Sequence, residues 1–326
     1  MADKVTSSQV AARAGVSRSA VSRVFTPGAS ASAETAARVR KAAEELGYRP
    51  NALARALLTG ESRLIGLVVS YLDNHLYPVL LQKLSHALQA RGYHLLMFMA
   101  GSEEGGVESV VDDILDYQVA GLVLASVSLS SDWAARCEAL GLPVILLNRR
   151  MGQAGENAVV SDNEAGGYLA TRHLIERGAH RIAHLAGQAG ASTQREREAG
   201  MMRALTEAGL SLHARAEGNF DAEGAREATR ALMQSASGAP DALFVANDYM
   251  ALIALDTLRY ELRVRVPTDI AIAGFDDVPA AAWPAYGLTT IRQNVEAMVD
   301  LTVSALLDNA GPPRALPVEL IERATT

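Results

Sequence analysis

Two groups of side chains in this 326-residue chain could do chemistry, and both are built for recognition. The first lies in "GVSRSAVSRV", residues 15–24. At about 100° per residue, Ser17, Ala20, Val21 and Val24 fall on one side of a helix while Arg18, Ser19, Ser22 and Arg23 fall on the other. A guanidinium can grip the O6/N7 edge of guanine with two hydrogen bonds, whereas a serine hydroxyl discriminates little between bases. The second group sits at the carboxyl ends of apolar, strand-like runs: Tyr71, Asp73 and Asn74; Ser126; Asn148 and Arg149; Asp162; Asn247 and Asp248; Asp276 and Asp277. Those side chains hydrogen-bond hydroxyls and lack the clustered cations that phosphates need. They suit a neutral polyol such as a sugar, or another small polar metabolite. Asn163, Asp248 and Asp277 read as helix-cap or turn residues.

The elements that must position the first group are three short helices. "TSSQ" has the form of a capping box, with Thr6 as N-cap and Gln9 three residues on, starting a helix over 7–14 with Val10 and Ala14 on its apolar stripe. Gly15 supplies the turn and Ser17 the next N-cap. A third helix runs from an N-cap at Ser32 through Ala36, Val39, Ala43 and Leu46 to Gly47. Two short helices joined by a glycine turn, the second showing Arg and Ser outward, form a helix-turn-helix pattern. Residues 1–63 carry a net charge of +5 and the remainder −12. A basic head on an acidic body fits a polyanion partner at one end, or a solvated face of mixed sign.

After Gly47, Pro50 interrupts, Asn51 can cap, and "ALARALL" (52–58) makes a two-turn helix ending at Gly60, too short to stand alone in water and so read as a hinge. From Leu64 onward, strand-length apolar runs at 64–70, 93–99, 121–126, 143–148, 157–162, 181–187, 242–248 and 270–277 alternate with helical patterns, among them 78–92, 166–178, 193–209 and 223–234. Near-continuous apolar strands alternating with helices imply parallel sheets covered on both faces, here two of them, with ligands bound beyond the strand ends.

Catalytic patterns are missing: no GK[ST] loop, GxGxxG, HExxH or CxxC occurs, and "GQAGAS" after the run at 181–187 lacks a lysine. His180 and His184 belong to a strand entered from a loop, and Cys137 reads as a core thiol. The expectation is a protein that is not an enzyme and needs no cofactor or metal. One cysteine, no membrane-length apolar run and no signal-peptide pattern point to a cytoplasmic location.

The ordered motifs "VTSSQVAARAGVSRSAVSRV", "ETAARVRKAAEELGYRPNALARAL", "SRLIGLVVS", "VVSDNEAGGYLATRHLIERGAHRIAHLAG", "VANDYMALIAL", "VPTDIAIAGFDD" and "LTTIRQ" resemble the lactose-repressor (LacI) family of bacterial transcriptional regulators essentially from end to end. The resemblance implies an α/β chain with a helix-turn-helix headpiece at 1–49, a hinge helix at 50–61, and a periplasmic-binding-protein-like core at 62–326. That core would have two Rossmann-like parallel-sheet subdomains, 62–160 with 292–318 and 161–291 with 319–326. It also implies a homodimer on a palindromic operator in double-stranded DNA, controlled by a small-molecule effector. Carried over by position, the recognition contacts fall on Arg18, Ser19 and Arg23, with Ser17 and Ser22 beside them. The minor-groove wedge falls on Leu57, with Ala54 beside it and Asn51 starting that helix. The effector contacts implied are Asn148, Arg195, Phe220, Asn247 and Asp276, and Asp162, joined by Tyr71, Asn74 and Ser126 from the strand ends. Thr26 departs from the family's usual Asn, Ala31 from a larger aliphatic, and "YELRVRVP" lacks the usual glycine. The absence of a leucine heptad after "ERATT" argues against a tail-built tetramer. The alternative from another class is a metabolite-binding protein without operator function, which leaves the basic head unexplained.

Overall fold

The computed structural model describes residues 5–26, 29–49, 62–100, 106–125, 136–137, 139–152, 157–308 and 315–326. The expected hinge, with Asn51, Ala54 and Leu57, and the expected cleft residue Ser126 lie outside the described residues. The chain divides into two units, Met1–Arg63 and Leu64–Thr326.

In the first unit, α1 (Ser7–Ala14), α2 (Arg18–Phe25) and α3 (Ala33–Leu46) begin and end where the cap residues direct. The capping box closes reciprocally: the Thr6 amide donates to Gln9 Oε1 at 2.8 Å and the Gln9 amide to Thr6 Oγ1 at 3.4 Å. Gly15 and Gly47 terminate α1 and α3 at φ of 64° and 66°, left-handed values that cost glycine nothing. Val10, Ala11, Val21, Val39, Ala42 and Ala43 form the buried core, with Val24, Phe25, Leu46 and Tyr48 packed against it. A core this small leaves the other face of α2 in solvent.

The second unit holds two sheets. β1 (Leu64–Val69), β2 (His94–Met99), β3 (Gly121–Ala125), β4 (Val144–Leu147) and β5 (Ala158–Val159) form a parallel sheet in the order β2-β1-β3-β4-β5. β6 (Ile182–Ala186), β7 (Ala214–Glu217), β8 (Ala242–Val245), β9 (Ala271–Asp276), β10 (Thr289–Arg292) and β11 (Glu319–Ile321) form the other, ordered β11-β10-β9-β8-β6-β7 and parallel except for β10 with β11. The helices between them are α4 (Leu76–Ala90), α5 (Gly106–Leu115), α6 (Asn163–Glu176), α7 (Ser192–Glu207), α8 (Ala222–Met233), α9 (Asp248–Asp256) and α10 (Val295–Leu307). Each sheet carries a buried apolar cluster on either face, which is what its uninterrupted apolar strands require. The chain passes between the two lobes after β5, after β10, and again near Leu316, whose backbone bridges Ser161. α10 follows a strand of the second sheet but packs Met298, Val299, Val303 and Leu306 into the core of the first, stitching the lobes together.

Two helices start earlier than their apolar patterns suggest, because a side chain outside each captures a free amide. Asn74 Oδ1 accepts from Leu76 N at 3.0 Å, and Asp162 Oδ1 from Ala165 N at 2.9 Å. α6 and α7 cross backbone to backbone: a Cβ on Gly167 would stand 2.0 Å from the Arg197 carbonyl oxygen, and one on Gly200 the same distance from that of Glu164. Gly167→Ala is therefore expected to lower unfolding free energy by about 3 kcal/mol or more, since a backbone atom cannot step aside as a side-chain tip can. Urea denaturation checks this, with a lower midpoint at unchanged slope as the expected result.

Candidate DNA-binding face and ligand cleft

On α2, Arg18, Ser19, Ser22 and Arg23 are all exposed, while Val21 is buried and Ala20 and Val24 are partly so. Ser17 is the N-cap, accepting from Ala20 N at 3.2 Å, and its hydroxyl also pairs with Ser19 Oγ at 2.9 Å. The start of the helix is thereby held firm while two guanidiniums one and a half turns apart project from it. This is the arrangement a major-groove reader needs.

The second site lies in the Leu64–Thr326 unit, where the carboxyl ends of both sheets face each other. From the first lobe come Tyr71, Asn74, Tyr77, Asn148 and Arg149; from the second come Thr193, Arg197, Phe220, Asn247 and Asp276. At its centre is Asp276, buried, with Oδ2 accepting from Asn74 Nδ2 at 3.1 Å across the cleft. Its Oδ1 accepts from Gln293 Nε2 at 2.7 Å and, more weakly, from the Arg197 guanidinium at 3.5 Å. Burial pushes the Asp276 carboxyl above the ordinary aspartate range, and the charge of Arg197 pulls it back. Arg197, equally buried, lies 3.6 Å over the Phe275 ring, donates to Asn163 Oδ1 at 2.9 Å and to the Ala246 carbonyl at 2.5 Å, and is pushed down by burial.

Around this pair the cleft offers donors and acceptors without further acids. Asn148 Nδ2 donates to Tyr77 Oη at 3.0 Å, while its Oδ1 is buried without a hydrogen-bond partner, an unmet acceptor suited to a hydroxyl. Asn247 Oδ1 caps α9 through Met250 N at 3.0 Å, which leaves its amide NH2 for a ligand. Phe220 supplies one aromatic wall, seated where Gly187 has no side chain; a Cβ there would fall 2.0 Å from its ring. Asn148, Phe220 and Asp276 all hold left-handed backbone, at φ of 72°, 61° and 130°. Such values in non-glycine residues persist only where surrounding contacts over-determine them.

The lobes are drawn together. Besides Asn74 and Asp276, the Arg149 guanidinium, steadied within its own lobe by donating to Tyr71 Oη at 3.2 Å, lies 5.5 Å from the Phe220 ring centroid, and Arg150 N donates to Ser192 Oγ at 2.9 Å. The remaining void is about 10 Å³, room for one water. Any ligand larger than a water molecule must displace these contacts as the lobes part.

Tyr71, Asn74, Asn148, Phe220, Asn247 and Asp276, expected from sequence, thus line one cleft. Two expected residues do not. Asp162 is the N-cap of α6, and Arg195 is exposed, donating to the Gly190 carbonyl at 2.7 Å. The arginine that reaches the cleft is Arg197, one turn from Thr193 on the buried face of α7; Arg195, two residues away, points outward. That periodicity was the signal available. Tyr77 and Gln293 carried none, since each sits in an otherwise ordinary helix start or crossover. Asn163, read as a cap, instead orients Arg197, and Asp277 ties the second sheet together by accepting from Arg292 at 2.7 Å and Arg323 at 2.6 Å.

A three-helix unit presenting arginines, together with a two-lobed unit closing on hydroxyl-binding side chains, defines a DNA-binding regulator controlled by a small molecule. Residues 62–306 match the family of periplasmic binding proteins and the sugar binding domain of the LacI family, and residues 8–51 match the bacterial regulatory proteins of the lacI family. The chain belongs to the LacI family. It is 32% identical over 302 residues to the HTH-type transcriptional repressor PurR of Aliivibrio salmonicida, covering 92% of this chain and 90% of that one. It is 31% identical over 314 residues to the ribose operon repressor of Escherichia coli K12, covering 94% of each. Among solved structures, the lac repressor dimer bound to operator and the anti-inducer ONPF superposes with a TM-score of 0.88 at 30% identity, covering 99% of both chains. The transcriptional regulator CelR–cellobiose complex superposes with a TM-score of 0.72 at 30% identity, covering 99% of this chain and all of that one. Among the described residues, no helix is long and apolar enough to cross a membrane.

Proposed function

We propose that this chain is a cytoplasmic, non-enzymatic repressor that binds an inverted-repeat operator as a homodimer and is controlled by a neutral sugar held between the two lobes. Arg18 and Arg23 carry the base readout, with Ser17, Ser19 and Ser22 contacting backbone and base edges, and Asn51, Ala54 and Leu57 belonging to a hinge that meets the minor groove. The observation that carries the sugar assignment is the donor and acceptor set of the cleft. One carboxylate (Asp276), two guanidiniums (Arg149 and Arg197), amides from Asn74, Asn148 and Asn247, and the aromatic ring of Phe220 match a ring with several hydroxyls and one apolar face. Relatives named for ribose and crystallised with cellobiose support it. The dimer has support in the lac repressor dimer on operator and in the edge strand β2, whose Met97 and Met99 are 49% and 47% exposed.

The test pairs two measurements on the full chain. Selection from random duplex DNA is expected to enrich an inverted repeat. Calorimetry with D-ribose, D-xylose, D-galactose and D-glucose, with nucleobases as controls, is expected to show binding of a sugar. Enrichment of no sequence would overturn the operator reading, and binding of a nucleobase alone would overturn the sugar reading.

A further inference from the structure

We infer that Asp248, which touches no ligand-facing surface, is the positioning residue that holds Asp276 in the cleft. Asp248 is completely buried behind the cleft floor, at the junction of β8 and α9. It does not cap its own helix, because the preceding Asn247 does. Its carboxylate reaches sideways instead: Oδ2 accepts from Val278 N at 3.0 Å, and Oδ1 accepts from Thr290 Oγ1 at 2.5 Å. Space for it exists because β9 passes at Gly274, where a Cβ would stand 2.3 Å from Asp248 Oδ1.

Between Gly274 and Val278 lies the turn that aims Asp276. Asp276 and Asp277 hold φ of 130° and 55° in succession, a run that L-residues avoid unless it is held from outside. It is held on both sides. Asp277 is gripped by Arg292 and Arg323, and the amide that follows it is gripped by Asp248. Release of the Val278 amide would let the backbone relax toward ordinary φ and swing the Asp276 carboxylate away from Asn74 and Arg197. Because Asn247 and Asp248 are adjacent, one dipeptide both presents an amide to the cleft and fixes the opposing carboxylate, so the two groups stay in register.

Both anchor bonds can be kept by an uncharged isostere. An amide at 248 can accept from Val278 N through its oxygen and donate to Thr290 Oγ1 through its nitrogen. Asp248 is itself poised toward neutrality, its carboxyl raised to about 7 by burial and by the charges of Asp276 and Asp277. What this position contributes to the turn is its pair of hydrogen bonds.

The assignment rests on the reading of the cleft as a sugar site, and its test separates the two. Full-length wild type, Asp248→Ala, Asp248→Asn and Thr290→Val are compared by amide hydrogen exchange of residues 276–278 without sugar, and by calorimetric titration with each of the four monosaccharides named above. In Asp248→Ala, exchange at 276–278 is expected to accelerate tenfold or more while β8 stays protected, and sugar affinity to fall at least thirtyfold. Asp248→Asn is expected to restore both within threefold. If the alanine variant does not fold, Thr290→Val, which removes only the hydroxyl that steadies Asp248, is expected to show the same local acceleration in weaker form. Exchange at 276–278 as slow in the alanine variant as in wild type, or an asparagine variant as impaired as the alanine one, overturns the proposal. Wild type binding none of the four sugars sinks the sugar reading alone, since the exchange measurement still decides the role of Asp248.

Discussion

Asp276→Ala is expected to lower sugar affinity by at least 100-fold while the affinity for the selected duplex, measured without sugar, stays within threefold of wild type. A carboxylate accepting two ligand hydroxyls contributes about 1.5–3 kcal/mol for each hydrogen bond to a charged group, and the sum spans roughly two to four orders of magnitude in Kd. Truncation also leaves Arg197, 2% exposed, without its counter-charge, so the variant is expected to lose about 3–5 kcal/mol of stability as well. Asp276→Asn separates the two effects. It keeps a hydrogen-bonding group beside Asn74 and Gln293, and is expected to fold better than the alanine variant yet remain impaired toward sugar. The three-helix unit carries its own core, which is why DNA affinity is expected to survive. Equal loss of sugar and DNA affinity in Asp276→Asn would contradict the assignment of this residue.

Arg18→Ala and Arg23→Ala are each expected to weaken binding to the selected duplex by about 1–3 kcal/mol, between fivefold and 150-fold, while binding to random duplex changes far less. A base-reading arginine loses discrimination when removed. A phosphate-binding one instead weakens all sequences alike and lowers the salt slope by about one. Both guanidiniums are exposed, so neither substitution should move the melting temperature. Ser19→Ala and Ser22→Ala are expected to have small effects. Ser17→Ala has a second cost, since Ser17 caps α2, and is expected to destabilise the first unit by about 1 kcal/mol. Equal weakening toward selected and random duplex would assign Arg18 and Arg23 to the phosphate backbone.

A pH dependence follows from Asp248. Its carboxyl is held near 7 in the folded protein against 3.8 for the free side chain, so between those values the folded state keeps a proton that the unfolded state gives up. The contribution of Asp248 to unfolding free energy therefore falls as pH rises from about 4 to 7. Asp248→Asn, uncharged throughout, is expected to flatten that part of the stability profile in urea titrations at several pH values. An unchanged slope would show the carboxyl to be ionised at lower pH than its burial implies.

The parts of this molecule that are legible in its sequence are those governed by local rules. Capping residues at Thr6, Ser17 and Ser32 and the glycines after α1 and α3 delimit the first unit almost to the residue, because each satisfies amides or carbonyls within one turn. The apolar runs that become β1, β3 to β6, β8 and β9 stand out because those strands are buried on both faces, and β2 stands out by its apolar run although its edge position leaves Met97 and Met99 exposed. β7, "ARAE", and β11, "ELI", do not, because they lie at the sheet margins and carry polar side chains into solvent. Strand ends directed attention to Asn148, Asn247 and Asp276. What the sequence hides is direction: which arginine of "REREAG" turns inward, and that Asp248 anchors a turn instead of capping a helix. Both depend on contacts between residues some 30 to 80 positions apart, as in the bonds from Arg197 to Asn163 and Asp276 and from Asp248 to Val278.

Whether sugar in the cleft controls DNA binding is decided by one linked titration. The Kd for the selected duplex is followed by fluorescence anisotropy as the bound monosaccharide is raised from zero to saturation, and the Kd for the sugar is measured with and without saturating duplex. Regulated binding predicts that duplex affinity shifts by about 5- to 150-fold with a midpoint at the sugar's own Kd, and that sugar affinity shifts by the same factor in the reciprocal arm. Duplex affinity that stays flat while calorimetry shows the cleft filled would contradict control of the DNA-binding unit by the ligand cleft.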